Sequence, residues 1–273
     1  MHDGVLIAQS GLAGRGRKSR WPARLDLLQS LTGLLLALFV CAHLFFDSSI
    51  LLGKDAMWAV SKFYEGYFVF GKAHPWLVSM VAGTLCVVFM AHALLALRKF
   101  PINYRQYRTF HAHARAMRHG DTRLWLWQVY TGFLLFFLAS AHLYQMFFWP
   151  QAIGPHASSD RIWSDGHWPF YSVFLIAVVL HAVTGLYRLA VKWGRPGLPR
   201  PTLRTLRRLL TAFFLALGFA ALATYMKIGY DHRDHYGERY HPAGNSPVDG
   251  DSPGSVPEES SSVEPSRFAG QRR

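Results

Sequence analysis

Residues 27–46 read LLQSLTGLLLALFVCAHLFF, twenty positions without a Lys, Arg, Asp or Glu and with a histidine near the far end. At 1.5 Å per residue such a run spans about 30 Å as a helix, the thickness of a bilayer's hydrocarbon core. It is the centre of an apolar stretch over roughly 26–50. Similar stretches lie at roughly 75–97, 124–149, 168–191 and 209–227. Five spans of this kind make the chain an all-α membrane protein.

The composition agrees. The chain has 273 residues, 51% of them hydrophobic and only 16% charged, where a soluble domain carries about 25% charged residues. Its mean hydropathy of +0.11 averages these runs with polar segments. A division of the length by about 150 residues would suggest two soluble domains, but that prior fails for a chain of membrane-length runs. The first run comes after about twenty mixed residues and has the full length of a span, so it is expected to be retained. Cys41 and Cys86 both fall inside apolar runs, which suits packing and offers neither a disulfide framework nor a CxxC ligand spacing.

The basic residues set the orientation, because cytoplasmic loops carry the excess of Lys and Arg. Arg15, Arg17, Lys18, Arg20 and Arg24 precede or open the first span, seven more lie between Arg98 and Arg123, and seven between Arg188 and Arg208. The other side has Lys54, Lys62 and Lys72 in one loop and Arg161 in the other. The N-terminus is therefore expected inside and the C-terminus outside. Topology then accounts for most of the net charge of +13, and no nucleic-acid partner is needed. The expected division is a cytoplasmic segment over 1–20, a five-span domain over 21–228, and a tail over 229–273. The Gly, Pro, Ser and Glu of that tail cannot offset the entropy of ordering. No internal repeat is evident by eye.

Four histidines lie within the spans: His43, His92, His142 and His181, one on each of the first four. Ionisable groups in hydrocarbon are costly and mark function by default, although a lone one more often bonds two helices together. Depth sorts them. His43 lies 19 positions from Arg24 and His142 19 from Arg123, whereas His92 is 6 from Arg98 and His181 is 11 from Lys192. His43 thus pairs with His142 near the outer face and His92 with His181 nearer the inner one, the levels separated by roughly 12 to 20 Å. Bis-histidine ligation of two stacked haems fits this, and haem iron with both axial positions filled serves electron transfer. Small residues one turn on, Ala96 and Gly185, leave room for a macrocycle. Zinc would need its ligands at one depth, which two levels deny.

The remaining histidines suit solvated positions: His111, His113 and His119 in the long basic loop, His156 and His167 in an outer loop, and His232, His235 and His241 in the tail. That basic loop, with its interleaved aromatics, reads either as a lipid-facing segment or as a dock for a soluble partner. Glu65 stands before the second span among Phe63, Tyr64, Tyr67 and Phe68, level with the outer histidine pair. A carboxylate there can accept a proton from a quinol or can simply face interfacial water.

Several strings resemble the dihaem cytochrome b subunit of fumarate reductase and succinate dehydrogenase, the type with one large five-span anchor. They are KFPINYRQY at 99–107, MRHGDT at 117–122, GLYRLAVKWG at 185–194, and the LDLLQS, TG and ILLG elements within 20–53. The likeness covers roughly 18–227. It implies two haem b groups on the same four histidines, paired as depth pairs them, and Glu65 in the quinol-site position. It further implies Gln29, Ser30, Trp125 and Lys192 as propionate-side contacts of the inner haem, and Arg161 as one of the outer haem. His119 would lie where the iron-sulfur subunit docks.

One departure bears on mechanism. Fumarate-reducing members have a glutamate two positions before the fourth ligand, proposed to carry a proton across the membrane; here that position is Val179.

The expectation is therefore a bundle of five transmembrane helices holding two haems, with a disordered C-terminal tail, in a bacterial inner membrane. It would pass electrons between menaquinone and an iron-sulfur subunit on the cytoplasmic side. A flavoprotein subunit would carry the dicarboxylate chemistry, since this chain has neither a Gly-rich dinucleotide fingerprint nor Cys clusters. A dimer of such heterotrimers is compatible with the resemblance. The rivals are the haem subunit of a hydrogenase or formate dehydrogenase, which should lack the matched strings, and a haem-free anchor or transporter.

Overall fold

A backbone in hydrocarbon has no water to bond, so each apolar run must close its own hydrogen bonds as a helix. The computed structural model describes residues 19–99, 103–116, 120–194 and 197–243. Five of its helices are long and apolar enough to cross a membrane: α1 (Trp21–Asp47), α4 (Trp76–Leu97), α6 (Gly120–Phe148), α8 (Trp168–Trp193) and α9 (Arg200–His232). Between them lie α2 (Lys54–Tyr64), the short α3 (Tyr67–Phe70), α5 (Tyr104–Ala116) and α7 (Pro155–Trp163). Among the described residues there is no strand. Large apolar side chains such as Leu38, Val87 and Leu94 point outward, as a surface solvated by acyl chains requires.

Helices α1, α4, α6 and α8 form a ring in which each packs on two neighbours, and α9 lies outside it against α8 and α1. Leu175, Val179 and Val183 of α8 meet Phe214 of α9 in a dry cluster. A second cluster joins Ile50, Met57 and Ile162 to Ala221, Leu222 and Tyr225, fastening α2 and α7 as a cap over one end of the bundle. The opposite end carries the basic residues. There the Asp26 carboxylate is paired with Lys99, Lys192 and Arg98, tying together the ends of α1, α4 and α8.

The structure moves the beginning of the polar tail. Residues 229–232, expected to open the disordered segment, continue α9, and a 3-10 turn succeeds it at Arg233–His235. Gly229 permits this, because a Cβ there would collide with the Ser159 carbonyl and Trp163 of α7. Single hydrogen bonds hold the residues beyond this turn: Tyr236 Oη donates to Asp165 Oδ1 at 2.9 Å, the Gly237 amide to Asp160 Oδ2 at 3.0 Å, and Tyr240 Oη to Asp55. His232, expected to be solvated, is buried with Nδ1 2.8 Å from Asp160 Oδ1. Composition misses such anchoring because it depends on individual polar partners and not on apolar content.

His156, also expected in solvent, stacks on His232 with ring centres 3.9 Å apart. Burial first, then the charges of His232 and Lys54, push His156 from the usual 6.5 down to about 4, against opposing effects from Glu238 and Asp160. Between those two values the unfolded segment binds more protons than the folded one, so the stability due to neutral His156 is complete above about 6.5 and is lost as pH falls toward 4. Acidification from pH 7 to 4.5 should accordingly lower the amide protection factors, corrected for intrinsic exchange, in α7 and residues 233–240 while leaving those of α4 unchanged. Equal protection factors in the cap at both pH values would rule out this linkage.

Candidate functional site

The ring of α1, α4, α6 and α8 encloses one cavity of about 1190 Å³, larger than the roughly 300–1,000 Å³ of an ordinary single-ligand pocket. Its wall is mostly apolar, with Leu36, Val40, Phe89, Phe136, Phe174 and Val178, and all four intramembrane histidines line it. Their depths are set by the helices that carry them, and their rings meet in pairs. The ring centres of His43 and His142 are 6.3 Å apart, and those of His92 and His181 6.5 Å.

An axial pair sets a definite spacing. With a metal–nitrogen bond of about 2.0 Å and about 1.1 Å from nitrogen to ring centre, two imidazoles held on opposite sides of one metal would have centres about 6.2 Å apart. Both pairs meet the condition. Gly33 of α1 lies against His92, and His43 stands ten positions further along the same helix, which separates the levels by about 15 Å. Among the described residues no group of three or more His, Cys, Asp or Glu could hold a bare metal ion; the four histidines meet as two separate pairs.

The two ends of the cavity differ. At the basic end the lining includes Gln29, Ser30, Trp125 and Lys192, together with Lys99 and Asp121. Lys192 Nζ donates to Asp26 Oδ2 at 2.6 Å and to Ser30 Oγ at 3.2 Å. At the capped end Arg161 donates from Nη1 to the Ala152 carbonyl at 2.7 Å and lies over the Tyr171 ring. Gln29 Oε1 and Arg161 Nε are buried in the described structure with no hydrogen-bond partner. The orphaned Arg161 Nε–H at the capped end is suited to an acidic substituent of a bound group, and the Gln29 Oε1 at the basic end to a donor.

Glu65 caps the C-terminus of α2 at the capped end. It is not among the residues that line the cavity; its neighbours Ser61 and Tyr64 are. Only 3% of Glu65 is exposed and 6% of Lys62, and Lys62 Nζ donates to Glu65 Oε2 at 2.9 Å. Desolvating such a pair is expensive. Burial, and then the Asp47 charge, push the Tyr64 phenol up to about 12, which keeps it a donor. Of the other aromatics expected around Glu65, Phe63 and Phe68 turn outward.

Val179 faces α9 within the dry cluster and not the cavity. The carboxylates among the lining residues are Asp47 and Asp121, at opposite ends.

Sequence reasoning passes over Lys62 as a partner of Glu65, although the i,i+3 spacing at the end of α2 is a usable signal. It also passes over Asp26, for which no local pattern gives notice. His119 lies outside the described residues.

Residues 104–224 match the family described as succinate dehydrogenase/fumarate reductase transmembrane subunit. The chain is 49% identical over 238 residues to the fumarate reductase cytochrome b subunit of Wolinella succinogenes, a match covering 85% of this chain and 93% of that protein. It is 47% identical over 234 residues to the protein of the same name from Helicobacter pylori strain J99, covering 85% of this chain and 90% of the relative.

Proposed function

The chain belongs to the family of fumarate reductase cytochrome b subunits, and from that premise we propose that it is the dihaem, quinone-reactive anchor of a succinate:quinone oxidoreductase. The observation that carries this reading is the pair of imidazole spacings at two depths of one apolar cavity. Two bound haem b groups would supply one-electron transfer across the bilayer and no site for oxygen.

The protein's own residues do the rest. His43 and His142 hold the group at the capped end, and His92 and His181 the group at the basic end. Gln29, Ser30, Trp125 and Lys192 meet the propionates of one, and Arg161 those of the other, by charge-assisted hydrogen bonds where the donor is charged. Glu65 accepts the proton released when menaquinol is oxidised at the capped, outer face. Lys62 holds the carboxylate in place, and Tyr64 donates toward the cavity. The basic end faces the cytoplasm, where an iron-sulfur subunit docks and links to a flavoprotein that interconverts succinate and fumarate. The membrane is then the bacterial inner one, with the N-terminus inside and the C-terminus outside.

Val179 makes turnover electrogenic in this reading. No carboxylate lines the middle of the cavity among the described residues, so electrons would cross without a compensating proton. Each charge moved fully across is worth about 2.3 kcal/mol per 100 mV, so quinol oxidation would work against the membrane potential and succinate oxidation would be driven by it.

Haem content tests the reading. The complex isolated from native membranes is expected to contain two haem b per chain and to copurify with the flavoprotein and iron-sulfur subunits. A folded, copurifying chain without haem would reduce it to an anchor.

A further inference from the structure

The ring has an internal repeat that the sequence by eye does not announce. Residues 29–44, QSLTGLLLALFVCAHL, and 128–143, QVYTGFLLFFLASAHL, agree at eight of sixteen positions. The identical residues include Gln, Thr and Gly at the start and Ala-His-Leu at the end. One copy lies on α1 and the other on α6. The shared His is the capped-end histidine of each helix, His43 or His142. The shared Thr and Gly meet the histidine of the neighbouring helix at the other level.

The two copies make the same contacts. Thr32 Oγ1 is 3.2 Å from His92 Nδ1, and Thr131 Oγ1 is 3.2 Å from His181 Nδ1. Each hydroxyl proton is already committed along its own helix, Thr32 to the Leu28 carbonyl at 2.9 Å and Thr131 to the Trp127 carbonyl at 2.8 Å. The threonine oxygen is left as an acceptor. At His181 a second acceptor is present, the Gln128 carbonyl 3.0 Å from Nδ1. Nδ1 of each ring therefore faces an acceptor, His92 the Thr32 oxygen and His181 the Thr131 oxygen and the Gln128 carbonyl, and carries the proton, leaving Nε2 free to ligate. The glycines fix the ring by contact. A Cβ on Gly33 would stand 2.8 Å from His92 Cε1, and one on Gly132 2.9 Å from His181 Cε1. At the other level, His142 Nδ1 is buried with no hydrogen-bond partner in the described structure.

We propose that the repeated Gln-x-x-Thr-Gly element is a pair of positioning devices for the haem at the basic end: Thr32 and Gly33 hold His92, and Thr131 and Gly132 hold His181. The proposal rests on the dihaem reading above. Acceptors on Nδ1–H make the imidazole a stronger donor and favour ferric iron, so removing one favours ferrous iron at that haem alone.

The test is redox titration of both haems in the purified complex, with low-spin electron paramagnetic resonance spectra, for the parent, Thr32→Val, Thr131→Val and the corresponding Ser variants. Each Val variant is expected to shift the ferric-to-ferrous ratio of one haem about tenfold at fixed potential, an upward shift of about 59 mV for one electron. The second haem should not move, and Ser should restore the parent value. Gly33→Ala and Gly132→Ala should alter or abolish the low-spin signal of that same haem; if they fail to assemble, the threonine variants decide. Two haems in the parent with neither potential moved, or with both moved equally, would overturn the positioning role and leave the dihaem reading intact. A parent with no haem would defeat the dihaem reading itself.

Discussion

His92→Ala in the assembled complex should halve the haem content and stop quinol-coupled fumarate reduction, while succinate oxidation by the partner subunits with a soluble dye continues. The reason is geometric. His92 and His181 are the ring pair at the basic end, 6.5 Å between centres, and removal of one imidazole opens a void where the axial bond should form. The haem at the other level, about 15 Å away along α1, keeps both its ligands. His43→Ala should lose that other haem and leave the first. The combinations sharpen the test, because residues that act as a unit are not additive. His43→Ala with His142→Ala should lose no more haem than either alone, whereas His43→Ala with His92→Ala should lose both. If His43→Ala and His92→Ala removed the same haem, the pairing would be wrong.

Glu65→Gln is expected to lower quinol oxidation by about 10²- to 10⁴-fold, the usual worth of a positioned general base. Both haems and the dye-linked activity should remain. Glutamine keeps the shape and still offers an oxygen to Lys62 Nζ, 2.9 Å from the native carboxylate, but it cannot take a proton. The substitution therefore separates proton acceptance from packing. Lys62→Met makes the complementary change. It leaves a buried carboxylate without this cation, and should lower quinol oxidation while both haems and the dye-linked activity remain. Turnover of Glu65→Gln within a few-fold of the parent would leave Glu65 as a structural acid and place the base elsewhere.

Much of this architecture is legible without coordinates. The number of spans comes from run length, and the grouping of the histidines from counting residues inward from the basic edges. A membrane helix is nearly one-dimensional, so position along the chain converts directly into depth at 1.5 Å per residue. His43 and His142, each 19 positions from an edge arginine, are in fact neighbouring rings. The cap is less legible. Composition starts the tail at 229, too early, because His232, Tyr236 and Tyr240 are held by Asp160, Asp165 and Asp55, and composition does not register individual partners.

The sequence by itself thus determined the five spans and the two levels at which the histidines pair. Only the tertiary structure decided which helix backs which histidine, that Asp26 gathers Lys99, Lys192 and Arg98, that Lys62 is the cation on Glu65, and that Val179 turns to α9. These depend on the rotation of each helix about its axis and on the order of helices around the ring. A chain solvated by lipid is apolar on its outer face as well as its inner one, so the sequence carries depth but little of the angular signal that an amphipathic helix in water would show.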